Sequence, residues 1–143
     1  MSINIQIGSE VSPVRAARIA IQLEMFDTAS KILNNIHDLK PFVFDGCSGV
    51  PDFIEKIPKI KRISFIPCLK HDLRYYIGTL GDEAERLSVD LDFRSEILHG
   101  CQMEKIEHPK KVADFVFSTV RNFGCTEYGK PYSWGFGWKE QPK

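Results

Sequence analysis

The sequence predicts a mainly α domain, and three observations carry that prediction. Apolar residues recur at spacings of three and four in several separate stretches, as one buried helix face requires. Serine, aspartate, proline and glycine stand at the ends of those stretches, where helix caps and stops belong. No stretch alternates apolar and polar residues convincingly enough to read as a strand.

Residues 1–11 read as a loose or strand-like N-terminal segment. Ser12-Pro13 then supplies an N-cap and a first-turn proline, opening a helix over 12–37. Ile19, Leu23, Phe26, Ala29, Leu33 and Ile36 form its expected apolar face. Pro41, Gly46, Gly49, Pro51 and Pro58 break up residues 37–62. The stretch D-G-C-S-G-V-P-D, Asp45 to Asp52, is loop material with two glycines around a cysteine. A helix is expected from near Pro67 to Ile77, ended by Gly78. Asp82-x-x-Glu85 is a capping pair for the next helix, which should run through Leu98 and stop at Gly100. A further helix opens at Pro109, carries the stripe Val112, Phe115, Val116, Val120 and Phe123, and closes at Gly124. Residues 126–143 hold both tryptophans among glycines and prolines and read as an irregular aromatic tail or short hairpin. His37 and His108 fall at helix boundaries, where a capping or solvent role suits them.

With 143 residues, the chain is expected to form a single domain, 1–143. A chain of this length buries roughly 70% of its unfolded surface, so it can build a core without metals. Nineteen basic residues balance nineteen acidic ones, which argues against binding nucleic acid through phosphate charge. The longest apolar stretch, near Ile63 to Leu69, is far shorter than the ~20 residues of a membrane span. The opening MSINIQIGSE lacks the basic and apolar regions of a signal peptide, so none is expected and the compartment stays open.

The chemically informative segment is C-L-K-H-D-L-R-Y, Cys68 to Tyr75. On a helix, Cys68, His71 and Tyr75 share one face, and Asp72 lies about 100° round from His71, within reach of a neighbouring loop. A histidine can take a proton from water, and an aspartate with loop carbonyls can bind a hard cation. On the next helix, Asp92 has mostly polar neighbours, whereas Asp90 sits at the border of the apolar face. A carboxylate there needs donors, since burying it unpaired is costly. His71 from the facing helix is one candidate, and Arg86 or Arg94 is the other.

These residues resemble the secreted phospholipase A2 superfamily, including its bacterial phospholipase A2-like branch. The resemblance rests on C-x-x-H-D-x-x-Y after a glycine loop with one cysteine, followed by a helix with D-x-x-F, and covers about Phe44 to Leu98. The tail V-R-N-F-G…G-K-P-Y-S-W-G-F-G-W is similar to the C-terminal part of some bacterial members. The resemblance implies two antiparallel core helices carrying the His-Asp site, a glycine calcium loop and, here, an additional N-terminal helix. It implies His71 as general base, oriented by Asp90 and supported by Tyr75. It assigns Ca2+ to Asp72 with carbonyls near Gly46, Cys47 and Gly49, and an oxyanion donor to Ser48, where the family usually has glycine. It also implies a Cys47–Cys68 disulfide, and leaves Cys101 and Cys125 as a second pair; free thiols are the alternative in a reducing compartment. The family's cysteines three after the histidine and just before the second aspartate are Arg74 and Val89 here, a joint absence that is self-consistent.

The activity implied is calcium-dependent hydrolysis of phospholipid carboxylic esters, with transient contact to a membrane surface. Family and cysteine placement favour a secreted or periplasmic protein; the chain as written also allows a cytoplasmic one. Phe42, Phe44, Val50, Phe53 and Ile54, with Trp134, Phe136 and Trp138, are candidates for an exposed apolar collar, the alternative being core packing. The basic run Lys56, Lys59, Lys61 and Arg62 either faces anionic lipid or is simply solvated. Two other functions stay open: a catalytically silent binding or toxin-like module on the same fold, and a zinc protein using Cys68, His71, His99 and Cys101.

Overall fold

In a computed structural model the residues described are 3–46, 52–124 and 128–142, without the side chains of 52 and 53. Of the predicted positions, Cys47, Ser48, Gly49, Val50, the Phe53 side chain and Cys125 lie outside them. The architecture is mainly α. A small antiparallel pair, β1 (Glu10–Val11) and β2 (Phe42–Val43), is aligned with Glu10 opposite Val43 and Val11 opposite Phe42.

The helix expected over 12–37 is interrupted. α1 (Pro13–Gln22) opens as predicted, with the Ser12 hydroxyl accepting from the Arg15 N–H at 3.2 Å and Pro13 in the first turn. It ends at Leu23 in a Schellman motif: Met25 N–H donates to the Ala20 carbonyl at 2.8 Å and Glu24 N–H to Ile21 at 2.9 Å. Glu24 takes the left-handed conformation, φ 61°, that glycine usually fills at this position. α2 (Phe26–Leu33) then restarts the helical phase, which turns Ala29 and Ile32 inward and leaves Phe26 60% exposed. A single 3₁₀ turn, Ile36–Asp38, leads into β2.

After the short α3 (Asp52–Glu55), α4 (Ile60–Tyr76) starts seven residues earlier than Pro67 suggested. Pro67 sits inside the helix, where it has no N–H to donate to the Ile63 carbonyl. α5 (Glu83–Met103) starts as expected, with the Asp82 carboxylate accepting from Glu85 N–H at 3.0 Å. It does not stop at Gly100. A second glycine-free Schellman motif ends it, with Ile106 N–H on Cys101 and Lys105 N–H on Gln102. Gly100 serves packing: a Cβ there would stand 2.7 Å from Ile63 Cγ2 of α4. α6 (Pro109–Phe123) has the predicted bounds, with Gly124 as its C-cap.

Pairs between α4 and α5 run in opposite order: Ile63 meets Gly100, Lys70 meets Glu96 and His71 meets Asp90. These helices are therefore antiparallel, as the short 77–82 connection requires. Arg86 with Val120 and Arg94 with Asp114 set α6 antiparallel to α5 in the same way.

The tail is irregular, as expected, but it is internal structure. Trp134 is 7% exposed and Phe136 is buried. Gly135 and Gly137 N–H groups donate to the carbonyls of Tyr75 and Tyr76 at 2.7 and 2.9 Å. The indoles of Trp134 and Trp138 donate to Thr79 and Gly78. The carbonyls at the C-terminal end of α4, which no further helical turn can satisfy, thus find their donors in the tail. The other side of the tail bonds residues 38–40, with Lys40 N–H on Gly137 and Lys139 N–H on Asp38.

Replacing Gly100 by alanine should overpack the α4–α5 contact and cost about 1–3 kcal/mol. Thermal melting checks this. In an Ile63→Ala background the same substitution should cost little, and an equal cost in both backgrounds would show that the contact is not the cause.

Candidate active site

Helix α4 presents Cys68, His71, Asp72 and Tyr75, all buried. Helix α5 presents Asp90, whose side chain has 0% exposure. A bare carboxylate would not survive there, and four donors converge on it. His71 Nε2 lies 2.8 Å from Oδ1, and the Tyr75 hydroxyl donates to the same oxygen at 2.7 Å. Arg121 Nη1 donates to Oδ2 at 2.8 Å, and Arg86 Nη1 approaches it at 3.4 Å. These four fill the acceptor directions a carboxylate offers. With Asp90 accepting throughout, the neutral form of His71 carries its proton on Nε2 and leaves Nδ1 as a lone pair.

Both sequence alternatives for the partner of Asp90 thus hold in part, since His71 and Arg86 bind it together. Arg94 does not; it pairs with Asp114 at 3.0 Å and lies over the Phe117 ring. Asp92 is exposed and pairs with Arg74. Burial and the Asp90 charge push the Tyr75 hydroxyl well above its ordinary range, so it remains a donor.

Asp72 reaches the loop, as the helical geometry suggested: Gly46 N–H donates to Oδ2 at 3.0 Å. Its Oδ1 lies 4.0 Å from His71 Nδ1, too far for a hydrogen bond. Asp45, His71, Asp72 and Tyr75 line a cavity of about 30 Å³, large enough for water. Asp45 is a residue the spacing argument did not single out; its signal was its place at the head of the glycine loop. Burial pushes Asp72 up to about 7, and the nearby Asp45 charge adds to that rise. Burial alone would lower His71, but the hydrogen bond to Asp90 and the nearby charges of Asp72 and Asp90 outweigh it and raise the imidazole.

Two larger clefts adjoin the site. One, of about 390 Å³, is walled mainly by Phe44, Ile54, Ile60, Phe65 and Ile97 and shares Gly46 and Val116 with the small cavity. The other, about 320 Å³, borders the far side of His71 beneath the α1–α2 turn. Arg74 and Val89 both line it.

Cys68 is disulfide-bonded, as expected, and its expected partner Cys47 lies outside the described residues. Several other expectations need correction. Cys101 is a free, buried thiol, so the expected Cys101–Cys125 bridge is not formed. Because α5 runs past Gly100, Cys101 remains helical and points into the core. The zinc set fails on geometry: Cys68 is not a thiolate, and exposed His99 and buried Cys101, two apart on one helix, point different ways. Among the described residues, no cluster of three or more His, Cys, Asp and Glu could hold a metal.

Of the apolar collar candidates, Phe42, Phe44, Ile54, Trp134 and Phe136 are inside the protein and Trp138 is half-buried, while Val50 and the Phe53 side chain lie outside the described residues. Phe42 packs on Tyr76 and Phe136, Phe44 packs on Phe65, and Ile54 is buried. Within the basic run, Lys59 and Arg62 pair with Glu104, leaving Lys56 and Lys61 exposed. His108 holds the N-cap position of α6 without a side-chain cap bond. Among the described residues no helix is long and apolar enough to cross a membrane. No protein-family model, curated protein or solved structure matches this chain.

Both raised groups give the same sign for stability in the metal-free protein. His71 favours folding below about 6.5 and that gain is lost as pH rises through its folded value; ionising Asp72 in the folded state becomes a cost between about 4 and 7. Melting in chelator should therefore show stability falling from about pH 5 to about pH 8, with a shallower fall in Asp72→Asn. An identical slope in the two proteins would contradict the assignment.

Proposed function

We propose that this chain is a calcium-dependent hydrolase of phospholipid carboxylic esters, of phospholipase A2-like type. The observation that carries the reading is the 2.8 Å His71–Asp90 bond beside a second buried carboxylate, Asp72, that is tied to the glycine loop.

The donor set suits a hard cation. Asp72 and Asp45 share a small cavity, and the burial that raises Asp72 is what a bound cation would reverse. Asp72, Asp45 and loop carbonyls from Gly46 onward would hold calcium, which prefers such oxygens. When bound, calcium supplies a Lewis acid for the ester carbonyl and its developing oxyanion.

The chain's own residues account for the proton traffic. His71 Nδ1, bare of protons, accepts one from a water in the cavity as that water attacks the ester carbonyl. Asp90 meets the resulting imidazolium at Nε2, and the proton on Nδ1 then passes to the departing alkoxide. Tyr75 donates to the same Asp90 oxygen and shares its charge. The 390 Å³ apolar cleft beside Gly46 is the place for an acyl chain, whose burial supplies binding energy in proportion to its apolar area. The buried aromatics leave any membrane contact to other groups around this cleft, such as exposed Ile7 on its wall and nearby Lys61.

The test is fatty-acid release from phospholipid vesicles with calcium and with chelator. His71→Gln should lose at least about 10²-fold in rate. Asp72→Ala should lose the calcium dependence while still melting cooperatively. An Asp72→Ala protein as active as the parent would end this reading, and calcium binding without turnover in the parent would favour a silent module.

A further inference from the structure

The second oxygen of Asp90 is held by residues outside the His-Asp-Tyr set. Arg86 Nη1 lies 3.4 Å from Oδ2, but the same nitrogen also faces the Tyr75 hydroxyl at 3.2 Å and the Val120 carbonyl at 3.3 Å. Its two hydrogens are shared among three acceptors, so its hold on Oδ2 is weak. Arg121 Nη1, coming from α6, makes the short charge-assisted bond to Oδ2 at 2.8 Å. Its other terminal nitrogen, Nη2, bonds Glu83, which is 60% exposed at the start of α5.

We infer that Arg121 is a positioning residue for the His71–Asp90 pair, locking the Asp90 carboxylate so that Oδ1 stays on His71 Nε2. The terminal torsion of an aspartate is broad, and nothing in its own chain stops it from turning. Turning would swap the oxygens and aim them between His71, Tyr75 and Arg86. A short bond to Oδ2 from a separate helix removes that freedom. Gly124, one residue past α6, lets this end of the helix come close: a Cβ there would stand 2.6 Å from the Tyr75 hydroxyl and 2.8 Å from Arg86 Nη1. The competing explanation is that Arg121 merely ties α6 to α5 through Glu83.

The kinetic arm of the test rests on the hydrolase reading; the spectroscopic arm does not. Full-length Arg121→Gln, Arg121→Lys and Glu83→Gln are compared by calcium-dependent ester release, by thermal melting and by the NMR signal of the His71 Nε2 proton. Arg121→Gln should lower kcat about 10–100-fold at unchanged KM, the usual range for a residue that orients another. It should also shift or broaden the Nε2 proton signal. Arg121→Lys should recover much of both. Glu83→Gln should lower the melting temperature while leaving kcat and the signal near the parent's. Equal kcat losses in Arg121→Gln and Glu83→Gln, or an unchanged Nε2 signal in Arg121→Gln, would overturn the inference. If the parent releases no fatty acid, the hydrolase reading fails and the Nε2 signal alone decides the role of Arg121.

Discussion

The carboxylate of Asp90 is the constraint on which the rest of the molecule depends. It has no exposed surface, yet it is surrounded by histidine, tyrosine and two arginines drawn from three helices. Removing such a group from water is worth several kcal/mol of penalty, which only complete coordination offsets. Each donor therefore has to arrive from a fixed direction. α4 must lie antiparallel to α5 so that His71 and Tyr75 meet one oxygen, and α6 must return along α5 so that Arg121 meets the other. The helix packing and the polar network are one arrangement, because neither is satisfied without the other.

Asp72 obeys a different logic. It shares α4 with His71 but faces the loop, and its surroundings do not satisfy it in the way those of Asp90 do. Among the described residues one backbone N–H donates to it and a histidine nitrogen stands 4.0 Å away, and burial pushes it up to about 7. Two buried aspartates on facing helices thus differ in their partners: Asp90 accepts from His71, Tyr75 and Arg121, whereas Asp72 accepts from the Gly46 N–H and carries a raised carboxyl.

Much of the site was legible in the sequence because helical spacing is enough to place it. His71, Asp72 and Tyr75 come from positions on one helix, and Asp90 from its border position on the next. α6 was legible from Pro109 and Gly124. What escaped were features set by tertiary contact with no local signal. The break after α1 uses Glu24 where glycine would have announced it, and the end of α5 uses Lys105. Gly100 looked like a stop signal and is a contact point for Ile63. Pro67 looked like a start and lies mid-helix. Cys101 looked like half of a bridge only while the helix was thought to end before it. Arg121 drew no attention, since an arginine near a helix C-terminus is ordinary until its carboxylate partner is known.

The tail's bonding to the end of α4 makes that end of the helix depend on a distant segment. The indole that caps Gly78 comes from a residue sixty positions later in the chain. Until that segment docks, the helix bearing His71 and Tyr75 has orphan carbonyls at its end and is prone to fray there. Contacts of such long sequence separation must overcome a loop-closure cost before they reward the chain. The network around Asp90 therefore owes part of its rigidity to a segment remote from it in sequence, and loosening the tail should loosen that end of α4 first.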